Sequence, residues 1–178
     1  MNADQMFKES ITQKEEFWAK QADQIEWFKK PQKILTDDGE NYPTWFADGE
    51  LNTCFLAVDI HVKDGFGEQN AIIYDSPVTN RIIKYTYNQV LEHVSKFAGG
   101  LQKLGLEKGD TAIIYMPMIP ESVFAMLACA RLGVTHSVVF GGFAPQELAI
   151  RIDDCRPKAI ITASSGMEVS RRIPYLPF

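Results

Sequence analysis

Cysteine is scarce in this sequence, and no apolar run is long enough to cross a membrane. Three cysteines, Cys54, Cys129 and Cys155, are an odd number at wide spacing. That suits neither a disulfide framework nor a C-x-x-C metal site, and the expectation is three reduced, structural thiols. The longest strongly apolar stretch, Val123 to Ala130 with its flanks, falls far short of the roughly 20 residues that span a bilayer. The opening Met1-Asn2-Ala3-Asp4 lacks the basic-then-apolar order of a signal peptide. A cytoplasmic protein with no membrane partner is expected. Positive charge is also in deficit, with 18 lysines and arginines against 23 acidic residues and a net charge of −5. A nucleic-acid partner is not expected, because no basic stripe is available to neutralise phosphates.

What is present is ordinary globular composition, 46% hydrophobic and 23% charged over 178 residues, which excludes collagen, mucin and extended disorder. At about 100–200 residues per domain there is room for one good core and an appendage. Residues 1 to about 30 read as helical, since Phe7, Ile11, Phe17, Trp18, Ile25 and Phe28 are spaced through a polar background without glycine or proline until Pro31. From Pro31 to Asp64 the pattern breaks into turns around Asp37-Asp38-Gly39, Tyr42-Pro43 and Asp48-Gly49, with Trp45, Phe46, Cys54 and Phe55 as apolar anchors. Residues 1–64 are therefore read as an ordered amino-terminal arm, and 65–178 as the domain proper.

The remainder alternates strand and helix. Ala71 to Tyr74 and Arg81 to Tyr85 fit short strands. Thr86-Tyr87-Asn88-Gln89 has the form of a capping box, and Val90, Val94, Phe97, Leu101 and Leu104 then recur at helical spacing up to Gly105. Thr111 to Met116, Val134 to Phe140 and Ala159 to Ala163 read as buried strands. Helices opened by Pro120 and Pro145 lie between them, and Gly133 caps the first of these. This pattern predicts an α/β fold: a helical arm followed by a doubly wound, mostly parallel sheet covered on both faces. Ligands should gather at the strands' carboxyl ends, which are Met116-Pro117, Phe140-Gly141-Gly142 and Ala163-Ser164-Ser165-Gly166.

At those ends the residues carry limited chemistry. Gly141-Gly142 could present backbone amides to a phosphate or a thioester oxygen, or could serve only close packing and positive φ. Ala163-Ser164-Ser165-Gly166 lacks the lysine and spacing of a phosphate loop and the setting of a serine nucleophile. Arg171-Arg172 could hold a phosphate through their forks or form a solvated surface pair. His136 reads as a core histidine, and His61 and His93 have no companions at metal spacing. Tyr115, Met116 and Met118 read as packing residues. No catalytic residue and no metal ligand is expected, and the residues alone name no reaction.

Three segments carry a resemblance. Ile114-Tyr115-Met116-Pro117-Met118-Ile119-Pro120-Glu121, then Ala125-Met126-Leu127-Ala128-Cys129-Ala130-Arg131-Leu132-Gly133, then His136-Ser137-Val138-Val139-Phe140-Gly141-Gly142-Phe143 resemble the short-chain acyl-CoA synthetases. These are the acetyl-CoA and propionyl-CoA synthetases of the adenylate-forming superfamily. Phe17-Trp18, Tyr42-Pro43-Thr44-Trp45-Phe46 and Asn52-Thr53-Cys54 resemble that family's amino-terminal arm. Ala71 to Thr79 and Ala163 to Glu168 look closer to the propionyl type. The resemblance implies the first subdomain of the adenylate-forming fold, with part of a coenzyme A site. Arg171 would be the anion contact near the nucleotide phosphate, Glu168, Val169 and Ser170 the surrounding turn, and Gly142 a close-approach residue along the thiol's path. In the acetyl-type pattern an arginine stands where this chain has Glu168.

The family joins a short carboxylate to AMP using ATP and magnesium, then passes the acyl group to coenzyme A. Its phosphate loop, carboxylate pocket and catalytic lysine lie downstream of the position matching Phe178. The expectation is thus an amino-terminal portion, inactive alone and binding no cofactor tightly, whose partners are the downstream part of the same enzyme and its small-molecule substrates. The apolar tail Ile173 to Phe178 fits a truncation. The rival readings are a non-catalytic CoA- or nucleotide-binding α/β module, and a degraded gene product with a large apolar patch that self-associates.

Overall fold

A computed structural model describes residues 2–39, 41–140, 145–168 and 171–176. The chain divides into two compact units, Met1–Asn52 and Thr53–Phe178. Residues 53–64 therefore fold with the second unit.

In the first unit, α1 (Ala3–Thr12) begins with a capping box in which the Gln5 N–H donates to Asn2 Oδ1 at 2.9 Å and the Asn2 N–H donates to Gln5 Oε1 at 3.2 Å. The chain breaks at Gln13 before α2 (Lys14–Ala22). The expected helix to Pro31 thus ends at Ala22, because the following backbone finds other partners. The Trp27 indole N–H donates to the Ala22 carbonyl at 2.8 Å, and the N–H groups of Phe28 and Lys29 donate to the Glu50 carbonyl. Strands β1 (Leu35–Thr36) and β2 (Thr44–Trp45) pair antiparallel. Asp48 accepts from the N–H groups of Lys33 and Gln32, which holds its carboxyl below the ordinary range.

The second unit opens with a π-helical turn, Phe55–Asp59, that runs into α3 (Ile60–Lys63), where the sequence pattern predicts turns. Strands β3 (Asn70–Ser76) and β4 (Arg81–Thr86) form an antiparallel hairpin. The capping box at Thr86 is present: the Gln89 N–H donates to Thr86 Oγ1 at 3.3 Å and the Thr86 N–H donates to Gln89 Oε1 at 2.9 Å. It starts α4 (Tyr87–Lys103), which buries Val90, Val94, Ala98 and Leu101. Leu104, expected inward, lies beyond the helix and is 74% exposed.

Then follow β5 (Thr111–Met116), α5 (Pro120–Leu132), β6 (Thr135–Phe140), α6 (Pro145–Cys155) and β7 (Ala159–Thr162). Gly133, at φ +71°, takes the left-handed conformation that closes α5. The parallel sheet has the order β6-β5-β7, with Ile114 beside both Val138 and Ile161. The chain moves outward from β5 to β6 and then returns past β5 to β7. Since such crossovers are right-handed, α5 and α6 lie on opposite sides of the sheet, but the expected cover on both faces is uneven: α5 buries six residues and α6 none, and Val138 and Ile160 stay exposed. On the α4–α5 side a core gathers Val94, Leu101, Ala112, Phe124, Ala128 and Val134. Arg131 at the end of α5 reaches Asp59 at 2.5 Å and ties the π-helical turn to that helix. A final antiparallel hairpin joins β8 (Ser165–Glu168) to β9 (Arg171–Pro174). No described helix is long and apolar enough to cross a membrane.

Candidate functional site

The reversal of strand order places a crevice between the carboxyl ends of β5 and β7, where doubly wound sheets receive ligands. Beyond β5 the chain makes a tight turn. The Ile119 N–H donates to the Pro117 carbonyl at 2.9 Å, and the Ser122 hydroxyl donates to the Ile119 carbonyl at 2.7 Å. Pro120 then sits in the first turn of α5, where its missing N–H costs nothing. Beyond β7 the β8–β9 hairpin folds back, and the Tyr175 N–H donates to the Ser164 carbonyl at 3.1 Å. The Tyr175 ring meets Tyr115 edge-on at 4.9 Å.

Between these two corners and the tip of the β3–β4 hairpin lies a cleft of about 640 Å³. Its walls are mainly apolar: Met116, Pro117, Met118 and Ile119 from the β5 exit, Met167, Ile173 and Tyr175 from the β8–β9 corner, and Tyr74 and Val78 from the hairpin. Polar groups are few, with Asp75, Ser76 and Thr79 on one side and Ser165 and Arg172 on the other. Gly166 forms part of the wall and is buried. A Cβ there would lie 2.8 Å from the Tyr175 ring and 3.1 Å from Pro117 Cβ, so glycine is required by close approach.

The residues singled out from sequence are only partly gathered here. Gly142, Val169 and Ser170 lie outside the described residues. Glu168, expected in a turn, belongs to strand β8 and pairs with Arg171 across the hairpin. Arg171 is exposed on β9 and does not line the cleft, whereas Arg172 does. Neighbouring strand residues point to opposite faces, so the two guanidinium groups are not presented side by side to one anion. The Arg172 Nε–H donates to Ser165 Oγ at 2.8 Å. Met116 and Met118, read as packing residues, line the cleft, and Met118 is 81% exposed. The sequence signal for them was a Met-Pro-Met segment directly after a strand's carboxyl end.

Several other chemistry-bearing side chains stand in packed surroundings. Cys54 and Cys129 are buried, and burial pushes both thiols up, Cys129 to about 11, so neither is a ready thiolate. His136 is half-buried on β6, and burial lowers its imidazole, favouring the neutral form. His93 stacks on Phe124 at 4.8 Å, and His61 packs against Tyr87 at 4.6 Å. Burial works against the charge of Arg131, but the hydrogen bond and negative charge of Asp59 outweigh it and keep the guanidinium protonated.

Comparison with known proteins accounts for almost the whole chain. Residues 3–57 match the acetyl-coenzyme A synthetase N-terminus, and residues 61–175 match the AMP-binding enzyme family. The chain is 53% identical over 171 residues to the human acyl-CoA synthetase short-chain family member 3, mitochondrial, covering 96% of this chain and 25% of that protein. It is 51% identical over 173 residues to an uncharacterized protein of Pseudomonas aeruginosa, with 97% and 28% covered. With the acetyl-coenzyme A synthetase of Pseudoalteromonas atlantica the identity is 44% over 174 residues, with 95% and 26% covered. The chain spans about a quarter of the length of these relatives. With the parallel sheet, the cleft and the β8–β9 hairpin all inside the matched residues 61–175, this chain belongs to the AMP-binding enzyme family.

Proposed function

We propose that the chain is the amino-terminal part of an AMP-forming short-chain acyl-CoA synthetase, which converts propionate or acetate, ATP and coenzyme A to acyl-CoA, AMP and pyrophosphate. Residues 1–64 serve as the family's arm and 65–178 as its first α/β subdomain. The downstream part of the same enzyme is its partner, and it supplies the phosphate-clamping groups and the acid pocket. Positioning two substrates and stabilising the charge on the transferring group need those parts, so the chain alone is inactive.

Its own contribution is part of the coenzyme A site. Arg171 is the anion contact for the nucleotide phosphate, and Glu168, Val169, Ser170 and Gly142 are the other residues assigned to that site. The supporting observation is the exposed place of Arg171 on a hairpin that follows the carboxyl end of β7, within the matched residues. The planar fork of a guanidinium suits a phosphate.

Two measurements test the reading. Purified chain given propionate, ATP, magnesium and coenzyme A should release no pyrophosphate; acyl-CoA formation would refute the inactivity. Calorimetry should show coenzyme A bound more tightly than its 3′-dephospho form, and Arg171→Ala should remove that preference. An unchanged preference takes the phosphate contact away from Arg171.

A further inference from the structure

The cleft on the Arg172 side is not explained by the coenzyme A reading, because the arginine assigned to the phosphate is the one outside it. We propose that this cleft is a binding site for an amphipathic monocarboxylate, with its apolar body against the methionines and its carboxylate on Arg172.

Four observations converge on that class of ligand. A volume of about 640 Å³ is within the range of small-molecule sites, which combine apolar walls with a few placed polar groups. Met116, Met118 and Met167 supply three unbranched thioether chains along one concavity. Two of them are well exposed, Met118 at 81% and Met167 at 49%. Such side chains adapt to an unbranched apolar partner, and a concave patch of this kind marks a binding surface.

Arg172 provides the cation. Its Nε–H is held by Ser165 Oγ at 2.8 Å, which orients the fork and leaves its other edge to meet a carboxylate with two parallel N–H donors. Asp75 contributes a negative charge to the opposite wall. That charge disfavours a phosphate or any dianion and leaves a single carboxylate as the best match. Ser76 is engaged locally, its hydroxyl accepting from the Thr79 N–H at 3.3 Å.

The test uses the full chain labelled at its methionine methyl groups, with decanoate and decanol as probes. Decanoate should shift the Met116, Met118 and Met167 signals saturably while those of Met6 and Met126 stay still. Decanol, equal in apolar length and uncharged, should bind about tenfold more weakly, as loss of a charge-assisted contact requires. Arg172→Gln should bring decanoate down to the decanol level, and Arg172→Lys should recover part of the difference. Equal binding of the two probes to the unaltered chain, or indifference to Arg172→Gln, overturns the proposal; the first comparison decides even if the variant fails to fold. Coenzyme A that displaces decanoate and shifts the same methyl groups also overturns it, by giving the cleft to the thiol carrier. Arg171→Ala should weaken coenzyme A and leave decanoate unchanged, so the two readings fail separately.

Discussion

The two units of the molecule use apolar side chains in opposite ways. Met1–Asn52 holds all three tryptophans, Trp18, Trp27 and Trp45, yet among its described residues only Phe17, Ala22 and Pro31 are buried. Its rings meet in a train, from Phe17 to Trp18 at 5.2 Å, Trp18 to Trp45 at 6.0 Å and Phe46 to Trp27 at 5.6 Å. Phe7 and Phe28 remain 68% and 62% exposed. Thr53–Phe178 has no tryptophan and buries valine, isoleucine and alanine to completion, as at Val94, Ile113, Ile114 and Ala128. Large rings do not make a core by themselves. A core needs two layers to close over each other, and two short helices with two-residue strands offer none.

Substitutions can break or sharpen that contrast. The largest effect belongs to Phe124→Ala, which removes a buried ring packed on Tyr85 and His93. It should cost about 3–5 kcal/mol in urea unfolding. Phe28→Ala in the first unit should cost no more than about 0.5 kcal/mol, as exposed positions do. A loss at Phe28 as large as at Phe124 would show that something covers the first unit's rings in solution.

Asp59→Ala comes next, because it takes the carboxylate away from Arg131, which is about a quarter exposed; solvent still reaches the pair, so the expected loss is about 2 kcal/mol. A double variant with Arg131→Met should recover part of it in the same unfolding assay. Gly166→Ala drives a methyl group toward the Tyr175 ring and Pro117 and should cost about 1–2 kcal/mol. It should also broaden the Met167 methyl signal. Gly49→Ala is the equivalent in the first unit, where the new Cβ would lie 2.8 Å from the Trp27 ring. With no closed core around that ring, the thermal shift should be smaller than at Gly166.

The smallest effect is a pH dependence. A hydrogen bond from Lys158, then one from the Glu107 N–H, holds the Asp110 carboxyl below its ordinary value of 3.8. A carboxyl depressed by folding stabilises above the unfolded value and loses that contribution as pH falls through the folded one. The melting temperature of Asp110→Asn should therefore lie slightly below the parent's at neutral pH, and the gap should close as pH drops below about 4. A gap that persists in acid would mean that Asp110 acts through something other than its charge.

Much of the second unit was legible in the amino-acid order, because its signals are local. Thr86 and Gln89 cap one helix, Pro120 and Pro145 open two more, and Gly133 closes one at positive φ. In the first unit a local pattern loses to distant pairing. The spacing from Phe7 to Phe28 is helical, but Glu50 captures the backbone of Phe28 and Lys29. The site was the least legible part. Arg171 and Arg172 look equivalent side by side in sequence, and only their place on β9 separates one that lines the cleft from one that does not.

Residue order alone was enough to specify the α/β class, the family and the corners where strands end, since caps, prolines and apolar runs act over a few residues. Tertiary pairing decided which corners meet. The return of β7 to the far side of β5, and the folding back of β8–β9 beside the β3–β4 tip, bring Tyr74, Met116 and Arg172 to one cleft. Contacts between residues so far apart depend on how layers pack, and no local spacing encodes that.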